Sequence, residues 1–408
     1  FKPGAIPVNC WTLKADYAES SGTHNTGVAT LWNHVMYNAH HPTNGYVCRT
    51  NAQIAALENK YEYDVRTTVD GFPIAVFARR SEDEDYIFMG KYNFNNDKST
   101  ENVFGFCDIP GFDDQFIPGH EGETIPEGEF NSGKDYTYGN KMQCWEMCEN
   151  YDTYALFKTT EGWDNPQIDE ATGLERVDED GVVIKNWASG FEARYPDDAN
   201  EADTSDLKAF ANWLVGCGDD HEKFAIEKHD HFDLWKVAAY YVYLMRFGAV
   251  DQPVKNSMFT SEDGKHWYYI NYDNDTIIGL DNAGALVYPP TITRDTKSGV
   301  AYAYAGRESR LWNMLEADVE FMTYYVPEVD NALFSGGLSY STALQYFNTN
   351  QSDKWCENIY NSDAEYKYIK PYVAGSVDEL GKMHGSRKSH RTWWLSKRFQ
   401  LMDAKFGN

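Results

Sequence analysis

The residues most suggestive of chemistry in this chain follow its strongest predicted helix. Asp251 opens the stretch "DQPVKN", so that Asn256 comes five residues later, and the stretch "YDND" supplies Asp273 and Asp275. Carboxylate and amide oxygens are the ligands preferred by Mg²⁺, which usually keeps positions for substrate phosphates. Such a cluster could hold a metal on a phosphate chain while one carboxylate orients or deprotonates an attacking hydroxyl.

A hairpin is predicted between the two halves of this cluster. The pair Asp263-Gly264 is typical of a two-residue turn, and "NSMFTS" and "KHWYYINY" are typical of the strands on either side. With a two-residue turn, Asn256 falls opposite Asn271. The chain would then return to the end of the ribbon from which it started.

Asp251, Asn256 and Asp273 can therefore converge, because Asp251 lies on the loop that enters this end of the predicted ribbon. The alternative is a polar turn without chemistry, since an Asp followed five residues later by an Asn occurs often by chance. Asp275 fits either a further metal ligand or the first residue of the next turn.

The N-terminal segments predict strands with two helices between them, the second a short one at "TNAQIAALENKY". "IPVNCWTLKADYAES" is rich in β-formers, and "SSGTHNTGVATLWNHVMYNA" predicts a helix whose apolar face includes Val28, Trp32 and Val35. "GFPIAVFARR" and "YIFMGKYNFNND" predict two further strands joined by a polar turn.

The rest of the chain divides into a loop-rich part and a helical part. From about residue 105 to 200 the composition predicts long loops, with "YALFKTT" and "GVVIKNW" as short strands. From about residue 204 the pattern is helical, and it is strongest at "HFDLWKVAAYYVYLMRFG", where Gly248 suits the helix end. Other helices are predicted at "TSDLKAFANWLVGC", "RESRLWNMLEADVEFMTYYV", "SYSTALQYFNTN" and "KSHRTWWLSKRFQLMDAKF". We therefore expect an α+β fold with a β-rich lobe over residues 1–160 and a mainly helical lobe over residues 161–408.

Charge and hydropathy restrict the partners. Lys and Arg number 36 against 63 Asp and Glu, a net charge of -27. Nucleic acid is therefore not an expected partner, because phosphate contacts need a cationic surface. No apolar run reaches the length of a membrane span, so no membrane partner is expected either. No signal peptide is visible, and the chain starts at Phe1, as a processed product or fragment would. We expect a cytoplasmic or virion-associated protein.

Several other motifs have structural interpretations. Cys144 and Cys148 lack two further ligands at zinc-site spacing, so reduced thiols are expected. "HDH" at residues 229–231 could bind a metal, but a helix N-cap is the preferred interpretation. Ser309 is expected to cap a helix or to lie at the surface. The basic stretch "GSRKSHRTWWLSKR" could contact phosphate or an acidic partner, but a packed amphipathic terminal helix is the preferred interpretation.

The site sequence resembles the CotH-type, spore-coat-like atypical kinases. Members carry an Asp, then a His-Asn or similar pair, a hairpin, and a Trp-Asp-x-Asp segment. The matching positions here are Asp251, Lys255-Asn256 and "YDNDTIIG", with Lys255 in place of the commoner His and Tyr272 in place of the Trp. The resemblance extends over about residues 10 to 280. It includes "LKADYAESSGTHN", with Glu19 where an Asp is usual, and "DGFPIAVFA" followed by "MGKYNF".

The resemblance implies a protein-kinase-like two-lobed fold and a phosphotransferase that uses ATP with Mg²⁺ or Mn²⁺ on protein Ser or Thr hydroxyls. Asp251 would be the catalytic base, while Asn256 and Asp273, with Asp275 as a further candidate, would bind the metal. Lys14 would contact the phosphates, although a solvated strand lysine is an equal alternative. Its glutamate partner would be Glu58 or Glu19.

Two other functions remain open. The kinase-like fold could be a catalytically silent structural or interaction module within a larger assembly, since "NFNNDKS" and "LSKRFQLMDAKF" are similar to segments of CotH-like domains in phage structural proteins. Its partners would then be other chains of that assembly. A glycosyltransferase that uses Asp273 and Asp275 for a nucleotide sugar is a third possibility, but it leaves Asp251 and Asn256 unexplained.

Overall fold

The computed structural model describes residues 8, 10–16, 18–19, 23–40, 66–104, 106, 142–148, 157–196, 204–281, 286, 288–292, 309–349 and 387–407. Within these residues the chain is a mixed α+β protein with two antiparallel sheets, which confirms the predicted α+β class. No helix in this part of the chain is long and apolar enough to cross a membrane.

The first sheet consists of β1 (Trp11–Lys14), β2 (Gly71–Ala78) and β3 (Ile87–Asn96), with β3 in the centre. The helix α1 (Thr23–Asn38) follows β1, and its predicted apolar face is buried. The strands and the first helix predicted for this part of the chain are thus confirmed, whereas the short helix predicted at "TNAQIAALENKY" lies outside the described residues.

The second sheet combines strands that are distant in the sequence. It has the order β5 (Phe191–Tyr195), β4 (Gln143–Met147), β6 (Ser257–Ser261) and β7 (Trp267–Asn271). Strand β4 precedes the expected lobe boundary at residue 160, yet it pairs with β6, which follows that boundary. The division into residues 1–160 and 161–408 stays a prediction, and the second sheet takes strands from both sides of that boundary.

The later part of the chain is mainly helical. Its helices are α3 (Ser205–Cys217), α4 (His221–Glu227), α5 (Leu234–Phe247), α6 (Arg310–Ala317), α7 (Val326–Ser335), α8 (Tyr340–Thr349) and α9 (Arg387–Phe406), and a short α2 (Glu101–Phe104) lies earlier in the chain. Helix α5 is buried along nearly all of its length. It ends at Gly248, whose left-handed backbone confirms the predicted helix end.

Other capping and packing predictions have mixed outcomes. The Ser309 hydroxyl accepts a hydrogen bond from the Trp312 amide and caps α6, as predicted. The predicted "HDH" cap is wrong, because Asp233 caps α5 by accepting from the Lys236 amide. The described cysteines are free thiols, as expected. The basic terminal segment is confirmed as a packed helix, in which Trp394 and Arg398 are buried.

The predicted strand at "GVVIKNW" is wrong. Residues 166–185 form isolated bridges between turns, and the chain then enters a 3₁₀ turn at Asn186–Ser189. The cause is turn chemistry, because the Asp169 and Asp178 carboxylates accept hydrogen bonds from nearby backbone amides. The predicted strand "YALFKTT" lies partly outside the described residues, and its residues 157–160 form no strand.

A buried ion pair connects α5 to α7. The Arg246 guanidinium donates to both oxygens of Asp330 at 2.7 and 2.6 Å, and both side chains are almost fully buried. Arg246 also contacts Asp403 on α9 at 2.7 Å, but the Asp403 side chain is 43% exposed. A buried charge is tolerated only where a partner compensates for the lost hydration.

Asp330→Asn is expected to lower the free energy of unfolding by about 3 kcal/mol or more, because it leaves a buried guanidinium facing a neutral amide. The matched variant Asp403→Asn should cost less than about 1 kcal/mol, since that carboxylate is partly solvated. Urea unfolding of the three proteins measures both values. Equal losses in the two variants would contradict the assigned role of Asp330.

Candidate functional site

The loop that carries Asp251 is fixed by the helices around it. The Tyr240 hydroxyl donates to the Gln252 carbonyl at 3.0 Å, and the Trp312 indole donates to the Pro253 carbonyl at 3.0 Å. The amides of Val254 and Lys255 both donate to the Asp251 carbonyl. The stretch "DQPVKN" is therefore an ordered turn between α5 and β6.

The hairpin differs from its prediction by one residue. Ser257, not Asn256, pairs with Asn271, and the loop between the strands has five residues, Glu262 to His266. The Asp263 carboxylate accepts from the amides of Lys265 and His266, both at 2.8 Å, so the turn is longer than the two residues expected from Asp-Gly. Asn256 thus precedes β6 instead of pairing within the ribbon.

Despite this shift, Asp251 and Asn256 are in contact. The Asn256 amide donates to the Asp251 carboxylate at 3.4 Å, and the Lys255 ammonium lies 3.8 Å from the same oxygen. Asp251 is only 1% exposed. The candidate base is therefore held beneath the surface by its own loop.

Asp273 is connected to this loop and to the first sheet. Its carbonyl accepts from the Gln252 side-chain amide at 2.7 Å, and its carboxylate forms an ion pair with Lys14 at the end of β1. Burial lowers the pKa of Lys14, but the carboxylates of Asp273, Asp275 and Asp16 outweigh burial and raise it overall. Lys14 is therefore not simply a solvated strand lysine.

Asp275 lies close to the same group of charges. Burial raises the pKa of Asp275 well above its usual range, and the nearby carboxylates of Asp273, Asp16 and Asp251 raise it further, against the effect of Lys14. A bound cation would relieve this repulsion. Asp275 is also the middle residue of a 3₁₀ turn, Asn274–Thr276, so both interpretations of this residue stay open.

A buried polar network that we did not predict ties the first sheet to this turn. Asn25, in the first turn of α1, donates to the Asp16 carboxylate at 2.7 Å and accepts from the Asn274 amide. Asp16 also receives hydrogen bonds from Lys91 and Asn93 of β3. Burial raises the pKa of Asp16, although Lys91 and Lys14 oppose the effect.

A cleft of about 290 Å³ lies between the two sheets. The predicted residues Lys14, Asn256 and Asp273 line it, whereas Asp251 and Asp275 are not part of its wall. The remaining lining residues are Thr12, Asn25, Thr26, Val69, Gly71, Asn95, Asn96, Asp97, Lys98, Glu146 and Tyr272. Among them, Val69 and Tyr272 are the larger apolar or aromatic groups, and most of the other lining residues carry polar or charged side chains.

A second charged group in the cleft was also not predicted. The Lys98 ammonium lies 2.5 Å from the Glu146 carboxylate and 4.6 Å from the centre of the Tyr272 ring. Glu146 also receives the Arg194 guanidinium at 2.5 Å and the Tyr272 hydroxyl. No local motif connects these residues, since 48 positions separate Glu146 from both Lys98 and Arg194.

Of the two glutamates expected as partners of Lys14, only Glu19 belongs to the described residues. Glu58 lies outside the described residues. Glu19 accepts a hydrogen bond from the His24 amide at 3.2 Å and so stabilises the start of α1. The ion pair shown for Lys14 is with Asp273.

The donor atoms suit a hard cation in type, because Asn256, Asp273 and Asp275 offer amide and carboxylate oxygens. In the described part of the chain, however, no three His, Cys, Asp or Glu side chains are grouped as a metal site would need. Binding of Mg²⁺ at Asp273 would thus require the Lys14 ammonium to share or release that carboxylate.

Two of the motif residues have an unusual backbone. Asn256 and Asp273 have φ values of 53° and 56°, in the left-handed region that side chains other than Gly rarely adopt. Such conformations concentrate at functional sites, where the surrounding structure maintains them.

Neither the models of protein families nor the curated proteins contain a match to this chain. The assignment of function therefore depends on the geometry of the cleft.

The pH dependence of stability tests the Glu146 cluster. Burial raises the pKa of Glu146, but Lys98 and Arg194 lower it more, so it lies below the usual 4.5. The ionised carboxylate then stabilises the fold fully above about pH 4.5, and this stabilisation is lost as the pH falls towards the lowered pKa. Glu146→Gln should cost about 1–3 kcal/mol at pH 7. Urea unfolding should show this difference shrinking below pH 4.5, and a difference independent of pH would contradict the assignment.

The backbone at Asn256 gives a second test. Asn256→Ala should be less stable than Asn256→Gly by about 1 kcal/mol, because alanine is disfavoured at a positive φ and glycine is not. Both variants lack the amide, so the comparison isolates the backbone. Equal unfolding free energies in urea would show that this conformation is not maintained in solution.

Proposed function

We propose that this chain is a CotH-like phosphotransferase that transfers a phosphoryl group from ATP, with Mg²⁺ or Mn²⁺, to Ser or Thr hydroxyls of a protein. The observation that carries the proposal is the meeting of Lys14, Asn256 and Asp273 on one cleft, next to Asp251. These residues come from β1 and from the segments that enter and leave the hairpin, and they stand at the positions that resemble the family motif.

Each residue has a distinct task in this proposal. Asn256 and Asp273 would hold the metal ion, which neutralises charge on the phosphates when bound. Asp251 would accept the proton of the attacking hydroxyl, and its contact with Asn256 would keep the base next to the metal ligands. Phosphoryl transfer needs mainly positioning and charge stabilisation, which a rigid loop can supply.

The arrangement of the sheets also supports a protein-kinase-like, two-lobed fold. A small antiparallel sheet with α1 lies on one side of the cleft, and the hairpin that carries the acidic residues lies on the other. Helices α5 to α9 follow in the later part of the chain.

A catalytically silent module is the second candidate, and two observations favour it. Asp251 is almost completely buried and does not line the cleft. The Asp273 carboxylate is paired with Lys14, a contact that neutralises it without a metal. A kinase-like fold kept only for assembly with partner chains would tolerate both features.

Radiolabelled ATP with Mg²⁺ or Mn²⁺ distinguishes the two candidates. We expect the protein to label itself or an added protein acceptor, and Asp251→Asn to reduce the rate by about 10²-fold or more because the general base is lost. Asp273→Asn should likewise remove activity through loss of a metal ligand. Asp263→Asn is the matched control, since it makes the same chemical change in the loop at the other end of the hairpin.

The outcomes separate the candidates. Labelling that survives in Asp251→Asn and Asp273→Asn would contradict the assigned site. ATP binding without transfer, measured by calorimetry, would favour the silent module. Absence of any thermal shift with ATP, ADP or AMP, in the presence of either metal, would overturn a nucleotide-dependent function.

A further inference from the structure

The two lysines that line the cleft have different surroundings. Lys14 forms its ion pair with Asp273 and is influenced by two further carboxylates, Asp275 and Asp16. This lysine therefore balances an acidic group at one end of the cleft. It is a poor candidate for the main phosphate contact, because a phosphate chain would have to approach the same carboxylates.

Lys98 lies in the turn after β3, and its ammonium contacts one carboxylate, that of Glu146. The Lys98 side chain is 27% exposed, and Glu146 also accepts from Arg194, on the same oxygen, and from Tyr272, on the other oxygen. An ammonium has three N–H donors, so a lysine oriented by one carboxylate can also donate to an anion. The neighbouring residue Asp97 also lines the cleft, and its carboxylate accepts a hydrogen bond from the Ser99 amide at 2.9 Å.

We propose that Lys98 forms an anion subsite for the phosphate chain of the nucleotide, with Glu146 and Arg194 as positioning residues. This inference rests on the proposed nucleotide function and reassigns the phosphate contact from Lys14 to Lys98. Glu146 comes from a central strand of the second sheet and Lys98 from the turn after β3, so their ion pair spans the cleft.

The test compares ligands that differ in phosphate content. The affinities of ATP, tripolyphosphate and adenosine are measured by calorimetry with Mg²⁺ for the wild-type protein, Lys98→Gln, Lys98→Arg and Glu146→Gln. Lys98→Gln should lower the affinities for ATP and tripolyphosphate by about 10-fold to 100-fold, as expected for the loss of one charge-assisted hydrogen bond. It should leave adenosine unchanged. Lys98→Arg should restore part of the loss, and Lys223→Gln, at an exposed site on α4, should change nothing.

Glu146→Gln tests positioning. When Lys98 is present, the substitution should weaken the binding of ATP more than that of adenosine. In the Lys98→Gln background it should add little, because its effect on binding passes through that lysine. Additive effects in the double variant would overturn the positioning role. Thermal unfolding of each variant identifies any that fails to fold. If Lys98→Gln does not fold, Lys98→Arg takes its place as the folded variant, and its ratio of ATP affinity to adenosine affinity should differ from that of the wild-type protein.

The two proposals fail in different ways. If the wild-type protein binds ATP and Lys98→Gln keeps the same ratio of ATP to adenosine affinity, the subsite is wrong while the nucleotide function stands. If Lys98→Gln lowers the affinities for ATP and adenosine equally, the lysine has only a structural role, which also overturns the subsite. If the wild-type protein binds neither ATP nor tripolyphosphate, both proposals are overturned.

Discussion

The cleft depends on polar contacts that tie the first sheet to the end of the hairpin. Lys14 pairs with Asp273, and Asn25 connects the buried Asp16 to the Asn274 amide across 249 positions of sequence. Each of these groups would be costly to bury without its partner. The contacts therefore hold α1 and β1 against the turn that follows β7, and they determine which side chains line the cleft.

An excess of carboxylates surrounds the ion pair of Lys14 and Asp273. Asp16, Asp251, Asp273 and Asp275 lie close enough to influence one another, as the raised pKa of Asp275 shows, and Lys14 balances only part of their charge. Two physical tendencies compete in such a place, because burial favours protonation whereas a cation favours the charged form. This competition is the electrostatic basis for expecting metal binding here, and also the reason that the ion pair of Lys14 would have to rearrange.

The group around Glu146 has a different charge arrangement. There, two cations, Lys98 and Arg194, meet on the carboxylate of Glu146, while Glu192 contacts Arg194 from a more exposed position. The cleft wall thus combines Asp273, which belongs to a group of carboxylates, with a lysine held on Glu146. The ligand that we propose, a metal ion with a phosphate chain, would bring opposite charges to both groups.

The sequence by itself determined the α+β class, the strands of the first sheet, the long helices and the approach of Asp251 to Asn256 and Asp273. These features follow from hydrophobic periodicity and turn chemistry, which act over a few neighbouring residues. Only the tertiary structure decided the hairpin register, because the Asp263 side chain lengthens the loop, and only it gave Lys14 and Lys98 their partners. Side-chain contacts between distant segments depend on how the two sheets pack, and no local pattern encodes that packing.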